Sequence, residues 1–231
     1  EPVIALSEAL TAIAPAGLVH ASVGGSNITT WLSADALLPD YAEQENLLSL
    51  YAEDPAKAGV EFGHAFESWW QRSGGPGQPW AATAEEVASW TAVPTPVAAW
   101  EKWPGAGLGT YDGPLWYATT VKLDEAQAAQ AATLDLGQVD DIDQTWLNGQ
   151  PAGFTSGGWR ERHYALAAGA LKAGDNVVVV NVIDLWSYGG MYGDKPRQLR
   201  LADGTAIPLD GWRWLAVPQA QKYPPRAPWD G

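Results

Sequence analysis

The stretch Leu134–Asp184, LDLGQVDDIDQTWLNGQPAGFTSGGWRERHYALAAGALKAGDNVVVVNVID, decides the fold class of this chain. Several short runs in it alternate apolar and polar residues, which is typical of strands with one buried face. Gly-, Asn- and Asp-rich turns separate the runs, and Asn148-Gly149 is a strong hairpin signal. Tight turns join antiparallel strands, because parallel strands need a long crossover. The stretch therefore predicts an antiparallel β-sandwich.

The same pattern continues on both sides of this stretch. Alternation runs from Leu115 to Leu123, and further turn signals stand at Asp203-Gly204 and Asp210-Gly211. We assign the sandwich to residues 98–217. Residues 218–231 are rich in Pro and carry no periodicity, so we interpret them as an extended return connector.

The first part of the chain predicts a different kind of structure. Apolar residues at helical spacing over residues 2–14 precede Pro15, a short apolar run covers Gly17–Val23, and Gly24-Gly25 follows. A helix, a buried strand and a Gly-rich turn make an α/β unit. We assign residues 1–38 to a partial α/β segment. One such strand needs neighbours on both edges, and we expect these to come from outside the chain.

Residues 39–97 are interpreted as a helical connector and linker. Apolar periodicity predicts helices over residues 40–72, and Pro55 is well placed to begin the second of them. Residues 73–79, rich in Gly and Pro, predict a linker, and Glu85–Trp90 predicts a short helix. The whole chain is therefore an α+β composite.

Composition excludes several classes of function. Asp and Glu number 27 against 13 Lys and Arg, a net charge of −14, which argues against nucleic acids and anionic membrane surfaces as partners. The chain has no cysteine, so a disulfide framework and a thiol nucleophile are excluded. No apolar run approaches the ~20 residues that a membrane-spanning helix needs.

The 14 tryptophans are far more than an average chain carries. We expect about two in three of them to be buried in the sandwich and its connections. The surplus favours a groove or an interface, because a flat ring stacks on the face of a sugar or on an apolar partner.

Two segments together carry a resemblance to a known family. Ala16–Trp31, AGLVHASVGGSNITTW, resembles the second conserved block of the sialate O-acetylesterase family. The β-rich part resembles the galactose-binding-like jelly roll that this family inserts into its catalytic domain. The landmarks of that module are Trp116-Tyr117, Leu136-Gly137, Trp146-Leu147-Asn148-Gly149, Gly157-Trp159, Arg162-Tyr164 and Gly174-Asn176, and Pro228-Trp229-Asp230-Gly231 resembles the return to the catalytic domain.

This resemblance implies the central portion of an SGNH-type serine esterase that removes acetyl groups from sugars. Gly25 would donate its backbone N–H to the oxyanion and Gly24 would shape the turn. The nucleophilic Ser and the Asp-His pair would lie outside this chain, which alone would be inactive. The implied partners are an acetylated carbohydrate and the remaining catalytic segments of the same enzyme, with no cofactor. A secreted or periplasmic location is expected.

The residues leave some alternatives to consider. Ser26 follows Gly24-Gly25 as a nucleophile would, with His64 or His163 as its base, but the flanking residues fit the second block better. The carboxylates of Asp140, Asp141 and Asp143 suit a hard cation. Their spacing is not that of a known calcium loop, and hydrogen bonding to turn amides explains them as well, so no metal is expected.

Trp186, Tyr188 and Tyr192 form an aromatic segment around Gly189-Gly190. We interpret it as a loop that binds the substrate. Packing against the rest of the enzyme explains the same three residues equally well. The alternative function is a non-catalytic carbohydrate-binding or purely structural jelly-roll module, and the sequence does not separate these two.

Overall fold

The computed structural model describes residues 41–217, 225 and 227–229, and every structural statement below concerns these residues. The predicted α/β segment, with its strand at 17–23 and the turn at Gly24-Gly25, lies outside them. No SGNH-type α/β unit is therefore shown in the described part of the chain.

Four α-helices occur among the described residues: α1 (Ala42–Glu53), α2 (Pro55–Arg72), α3 (Ala84–Ser89) and α4 (Glu125–Ala128), with single 3-10 turns at Pro79–Ala81 and Trp100–Lys102. Pro55 begins α2 because the first turn of a helix leaves its N–H groups unpaired. The side chain of Asp54 accepts a hydrogen bond from the backbone N–H of Lys57 (3.1 Å) and caps this helix. None of the described helices is long and apolar enough to cross a membrane.

Eleven strands make up the rest of the described structure: β1 (Thr91–Ala92), β2 (Gly113–Leu123), β3 (Ala132–Asp140), β4 (Ile142–Leu147), β5 (Gln150–Ser156), β6 (Glu161–Leu166), β7 (Gly174–Asp184), β8 (Gly190–Tyr192), β9 (Gln198–Leu201), β10 (Ala206–Pro208) and β11 (Arg213–Ala216). Each of their pairings is antiparallel.

The strands form two sheets. The larger has the order β1-β11-β2-β7-β4-β5, and the smaller has the order β10-β9-β3-β6 with β8 paired to β3. The predicted antiparallel sandwich is therefore confirmed. Because β1 pairs with β11, the larger sheet includes residues that precede residue 98.

The turn at Asn148-Gly149 fixes the β4–β5 hairpin. Both residues have positive φ, 51° and 80°, which is the pattern of a type I′ turn and matches the twist of antiparallel strands. Asn148 tolerates this conformation, and its side chain accepts from the N–H of Val177 (3.1 Å) and donates to Oδ1 of Asn176 (2.9 Å). The turn thereby ties the hairpin to the start of β7.

The larger sheet buries both of its faces. One face meets the smaller sheet in a core that includes Leu115, Tyr117, Leu134 and Val180. Its other face meets α2 in a second core rich in aromatic residues: Phe62, Phe66, Trp70, Trp80, Trp116 and Trp146. Burial on both faces explains the continuous apolar run at the centre of β7.

This second core also explains much of the tryptophan content. The ring of Trp116 lies 5.0 Å from Trp70 and 5.4 Å from Trp146, centroid to centroid. Trp70, Trp116 and Trp146 are fully buried. Two described tryptophans are exposed, Trp159 (77%) and Trp186 (72%).

Candidate functional site

A pocket of about 600 Å³ lies where β3 and β7 end. Three parts of the chain line it: the segment that leads into the 3-10 turn at Trp100–Lys102, the β3–β4 turn, and the segment from the end of β7 through β8. The lining residues are Val97, Ala98, Ala99, Lys102, Asp140, Asp141, Trp186, Ser187, Tyr188, Tyr192 and Gly193. This is the size and mixed character of a small-molecule site.

Aromatic side chains form one wall of the pocket. Trp186 is 72% exposed and Tyr188 58%, unusual values for such large rings. Nζ of Lys102 lies 5.5 Å from the centroid of the Tyr188 ring, a cation–π distance. Tyr192 is held in β8, and its hydroxyl donates to the carbonyl of Gly158 (3.1 Å). The rings of Trp186 and Tyr188 are therefore exposed to solvent, beside the ring of Tyr192, which β8 holds in place.

Three acidic side chains gather at the pocket, and two of them, Asp140 and Asp141, line it. One carboxylate oxygen each from Asp140, Asp141 and Asp184 lie within 4.8 Å of one another. The backbone N–H of Asp141 donates to the carbonyl of Ile183 (3.1 Å), and Oδ2 of Asp141 accepts from the N–H of Leu185 (3.0 Å). These bonds join the β3–β4 turn to the end of β7, which brings the three acids together.

The protonation equilibria of two of these acids are displaced. Burial, reinforced by the charges of Asp141 and Asp184, raises the pKa of Asp140 to about 7. Burial also raises the pKa of Asp184 to about 6, against the opposing effect of the hydrogen bond from the N–H of Trp186. The carboxylates of Asp112, Asp141 and Glu101 add to this rise. Like charges in a desolvated site disfavour the ionised form.

Asp143, the third acid of the predicted cluster, lies elsewhere. Its Oδ1 accepts from Nε of Arg162 at 2.7 Å, and both side chains are fully buried. Oδ2 of Asp143 accepts from the hydroxyls of Thr145 and Tyr164, at 2.8 Å each. Arg162 is therefore committed to an ion pair inside the sandwich and is closed to a ligand.

Comparison with known proteins identifies the family. The sequence model of Glycosyl hydrolases family 2, sugar binding domain, matches residues 77–214. The chain belongs to this family. No curated protein matches the sequence.

Solved structures of family 2 enzymes are also similar to parts of this chain. They include a β-galacturonidase from Eisenbergiella tayi bound to glycerol (17% identity, 42% of this chain and 18% of that chain, TM-score 0.36). A β-glucuronidase from Bifidobacterium dentium shows 22% identity over 37% of this chain and 14% of its own, with a TM-score of 0.35. A family 2 member from Bacteroides cellulosilyticus shows 17% identity over 46% of this chain and 16% of its own, with a TM-score of 0.39. The matched part is thus less than a fifth of each of these chains.

Membership of the family 2 sugar-binding domain corrects the sequence interpretation. The resemblance to sialate O-acetylesterases is wrong, and so is the assignment to a carboxylic ester hydrolase, because the matching family is one of glycosyl hydrolases. Landmarks such as Trp146-Leu147-Asn148-Gly149 and Gly174-Asn176 contributed to the error. They encode hairpins and turns of a β-sandwich, and many carbohydrate-active proteins share that scaffold whatever their chemistry.

The structure places the predicted site residues in two groups. Gly24 and Gly25, predicted to serve the oxyanion, lie outside the described residues, as does Ser26. Trp186, Tyr188 and Tyr192 all line the pocket. They do not form one loop as expected, because Tyr192 belongs to β8.

Each of the two described histidines lies beside a carboxylate. His64 lies on α2, with Nδ1 3.2 Å from Glu67. His163 lies on β6, with Nδ1 2.7 Å from Asp135.

Sequence reasoning missed two residues of the site, Asp184 and Lys102. Asp184 is the last residue of β7. A carboxylate at the end of a buried apolar strand was the signal in the sequence that could have identified it. Lys102 carried no signal, because only the fold brings it over Tyr188.

Proposed function

We propose that this chain is the non-catalytic carbohydrate-binding β-sandwich, of jelly-roll type, of a family 2 glycosyl hydrolase. The observation that carries the proposal is the exposed pair of rings, Trp186 and Tyr188, on a pocket of about 600 Å³ in a chain of this sugar-binding family. A single exposed aromatic residue is ordinary, whereas two beside convergent polar groups favour a ligand.

The chemistry of the pocket suits a glycan. The apolar face of a pyranose ring stacks on indole or phenol, and carboxylates accept hydrogen bonds from sugar hydroxyls. Asp140 and Asp141 supply such acceptors next to the rings. Among the described lining residues only Lys102 is cationic, so without a bound metal ion a sugar carboxylate would meet more repulsion than attraction. A neutral glycan is the better fit, and this class includes the neutral acetylated carbohydrates.

The rest of the same enzyme is the second partner that we propose. The activity of the whole protein would then come from a catalytic domain, and this chain would bind or orient carbohydrate beside it. A secreted or periplasmic location stays a prediction.

Binding is tested on the full chain with a panel of neutral and acidic mono- and oligosaccharides, by titration calorimetry and tryptophan fluorescence. We expect a neutral glycan to bind. Trp186→Ala should weaken this binding by about fivefold, since loss of one stacked ring costs roughly 1 kcal/mol. Trp159→Ala is the matched control, because Trp159 is equally exposed but does not line the pocket.

A pocket that binds no saccharide in the panel would contradict the proposal. Equal weakening by Trp186→Ala and Trp159→Ala would contradict the assignment of the site. In the first case the rings would serve as a contact surface for the rest of the enzyme.

A further inference from the structure

The three acids Asp140, Asp141 and Asp184 are more than a surface patch. Asp140 ends β3, Asp141 begins the following turn, and Asp184 ends β7, so three separate backbone positions converge on one point. None of the ion pairs between described residues involves these three side chains. Arg162 comes near, but it is paired with Asp143. No cation of the described residues therefore lies within ion-pair distance of the cluster.

Asp184 gives an independent indication of a missing partner. Its side chain is 99% buried, since only 1% of its surface is exposed. Oδ1 accepts from the N–H of Trp186 (2.8 Å), whereas the buried Oδ2 has no hydrogen-bond partner among the described residues. An unpaired buried carboxylate oxygen is costly and uncommon in native proteins.

Glu101 repeats this feature close by. Its Oε1 accepts from the N–H of Gly189 (3.0 Å), and its Oε2 is buried without a partner in the described structure. The charge of Glu101 acts on Asp184. Asp184 and Glu101 therefore each have a buried oxygen without a partner among the described residues.

We propose that Asp140, Asp141 and Asp184 bind a Ca²⁺ ion beside the pocket. Hard divalent cations take oxygen ligands, and carboxylates are their preferred protein ligands. The cluster offers no thiolate or imidazole, so zinc and copper are poor candidates. Asp140 and Asp141 also line the pocket, so water can complete the coordination from the open side.

The ligand set favours calcium over magnesium. The three carboxylates come from three separate backbone positions, and their oxygens lie within 4.8 Å of one another. Ca²⁺ accepts a flexible coordination geometry with six to eight oxygens, whereas Mg²⁺ demands a near-ideal octahedron and gives up its water reluctantly.

The test uses the full chain after treatment with EDTA and removal of the chelator. Calorimetric titration with CaCl₂ should show one site per chain. At about a hundredfold excess over Kd, the melting temperature should rise by roughly 4 °C or more. Tb³⁺ should bind the same site and show luminescence sensitised by Trp186, which Ca²⁺ should quench by displacement.

Asp184→Asn should weaken Ca²⁺ binding by about tenfold or more and reduce the luminescence in parallel. Asp175→Asn is the matched control, because Asp175 is an exposed carboxylate near the other end of the same strand. It should bind Ca²⁺ as the parent chain does. If Asp184→Asn does not fold, Asp140→Asn gives the same comparison at a less buried position.

Three results would overturn the proposal: no heat and no Tb³⁺ luminescence up to ~10 mM Ca²⁺, unchanged binding in both Asp184→Asn and Asp140→Asn, or Mg²⁺ binding as tight as Ca²⁺ binding. Loss of glycan binding in Trp186→Ala tests the proposed function separately. The test of the cation site does not depend on whether a glycan binds.

Discussion

Asp140 and Asp184 should make the stability of this chain fall as the pH rises toward neutrality, when divalent cations are removed. Their folded-state pKa values, about 7 and about 6, lie above the ordinary value of 3.8. Between pH 4 and pH 7 the folded state therefore binds more protons than the unfolded state, and the free energy of unfolding decreases with rising pH. Urea denaturation in EDTA at pH 5 and pH 7.5 measures this.

The Asp140→Asn variant supplies the control for that pH series. An amide does not titrate, so the decrease between pH 5 and pH 7.5 should shrink. A decrease that is as large in the variant as in the parent chain would assign it to other groups.

Replacing Arg162 should lower the free energy of unfolding strongly, because its charge is buried. It is fully buried, and besides its bond to Asp143 it donates to the carbonyls of Gly157 (2.8 Å) and Arg160 (2.6 Å). Arg162→Met leaves the carboxylate of Asp143 buried without its cation, which should cost about 3–5 kcal/mol in chemical denaturation. The double variant Arg162→Met/Asp143→Leu should recover part of this loss. If the double variant is less stable than the single one, an unpaired charge is not the cause.

At the scale of elements, the β4–β5 hairpin depends on the backbone conformation of Asn148. Asn148→Ala forces a Cβ-bearing residue without a polar side chain into positive φ and removes the bonds to Asn176 and Val177. We expect a loss of about 2 kcal/mol, from left-handed strain and unpaired groups together. Asn148→Gly keeps the conformation and loses the bonds only, so it should cost less. Equal losses, measured by thermal unfolding, would show that strain plays no part.

The elements that the sequence predicted well are those with local signals. Asn148-Gly149 specifies its hairpin through φ alone, and Pro55 marks the start of α2. Strands β1 and β8 to β11 are two to four residues long, and they are strands only because partners are available. Their extended conformation is a tertiary effect that a short sequence window does not contain.

The candidate site was predictable to a similar extent. Trp186, Tyr188 and Tyr192 are adjacent in sequence and stand out by composition, so the aromatic wall was found. The acidic wall needs Asp184 beside Asp140 and Asp141, about 44 residues apart, and this contact depends on the pairing of β4 with β7. Asp143 does not join the pair, because side chains alternate along a strand and it faces Arg162 instead.

At the scale of the whole described structure, two cores share one sheet. Alternate residues of β2 enter opposite cores, Leu115 and Tyr117 on the sandwich side and Trp116 and Ala118 on the helical side. A sheet whose two faces are both needed for burial couples the layers on either side of it. The helical layer is therefore a structural part of this domain, and its aromatic core is not free to unfold alone.

Matched truncations in the two cores test this coupling. Phe66 in α2 and Leu134 in β3 are both fully buried, one in each core. Phe66→Ala and Leu134→Ala should each lower the free energy of unfolding by about 3 kcal/mol. In each variant the near-ultraviolet dichroism of the tryptophan cluster and the far-ultraviolet signal should be lost in one transition. Amide exchange gives the decisive outcome: if Phe66→Ala exposes the amides of α2 while those of β3 stay protected, the layers unfold independently and the coupling is disproved.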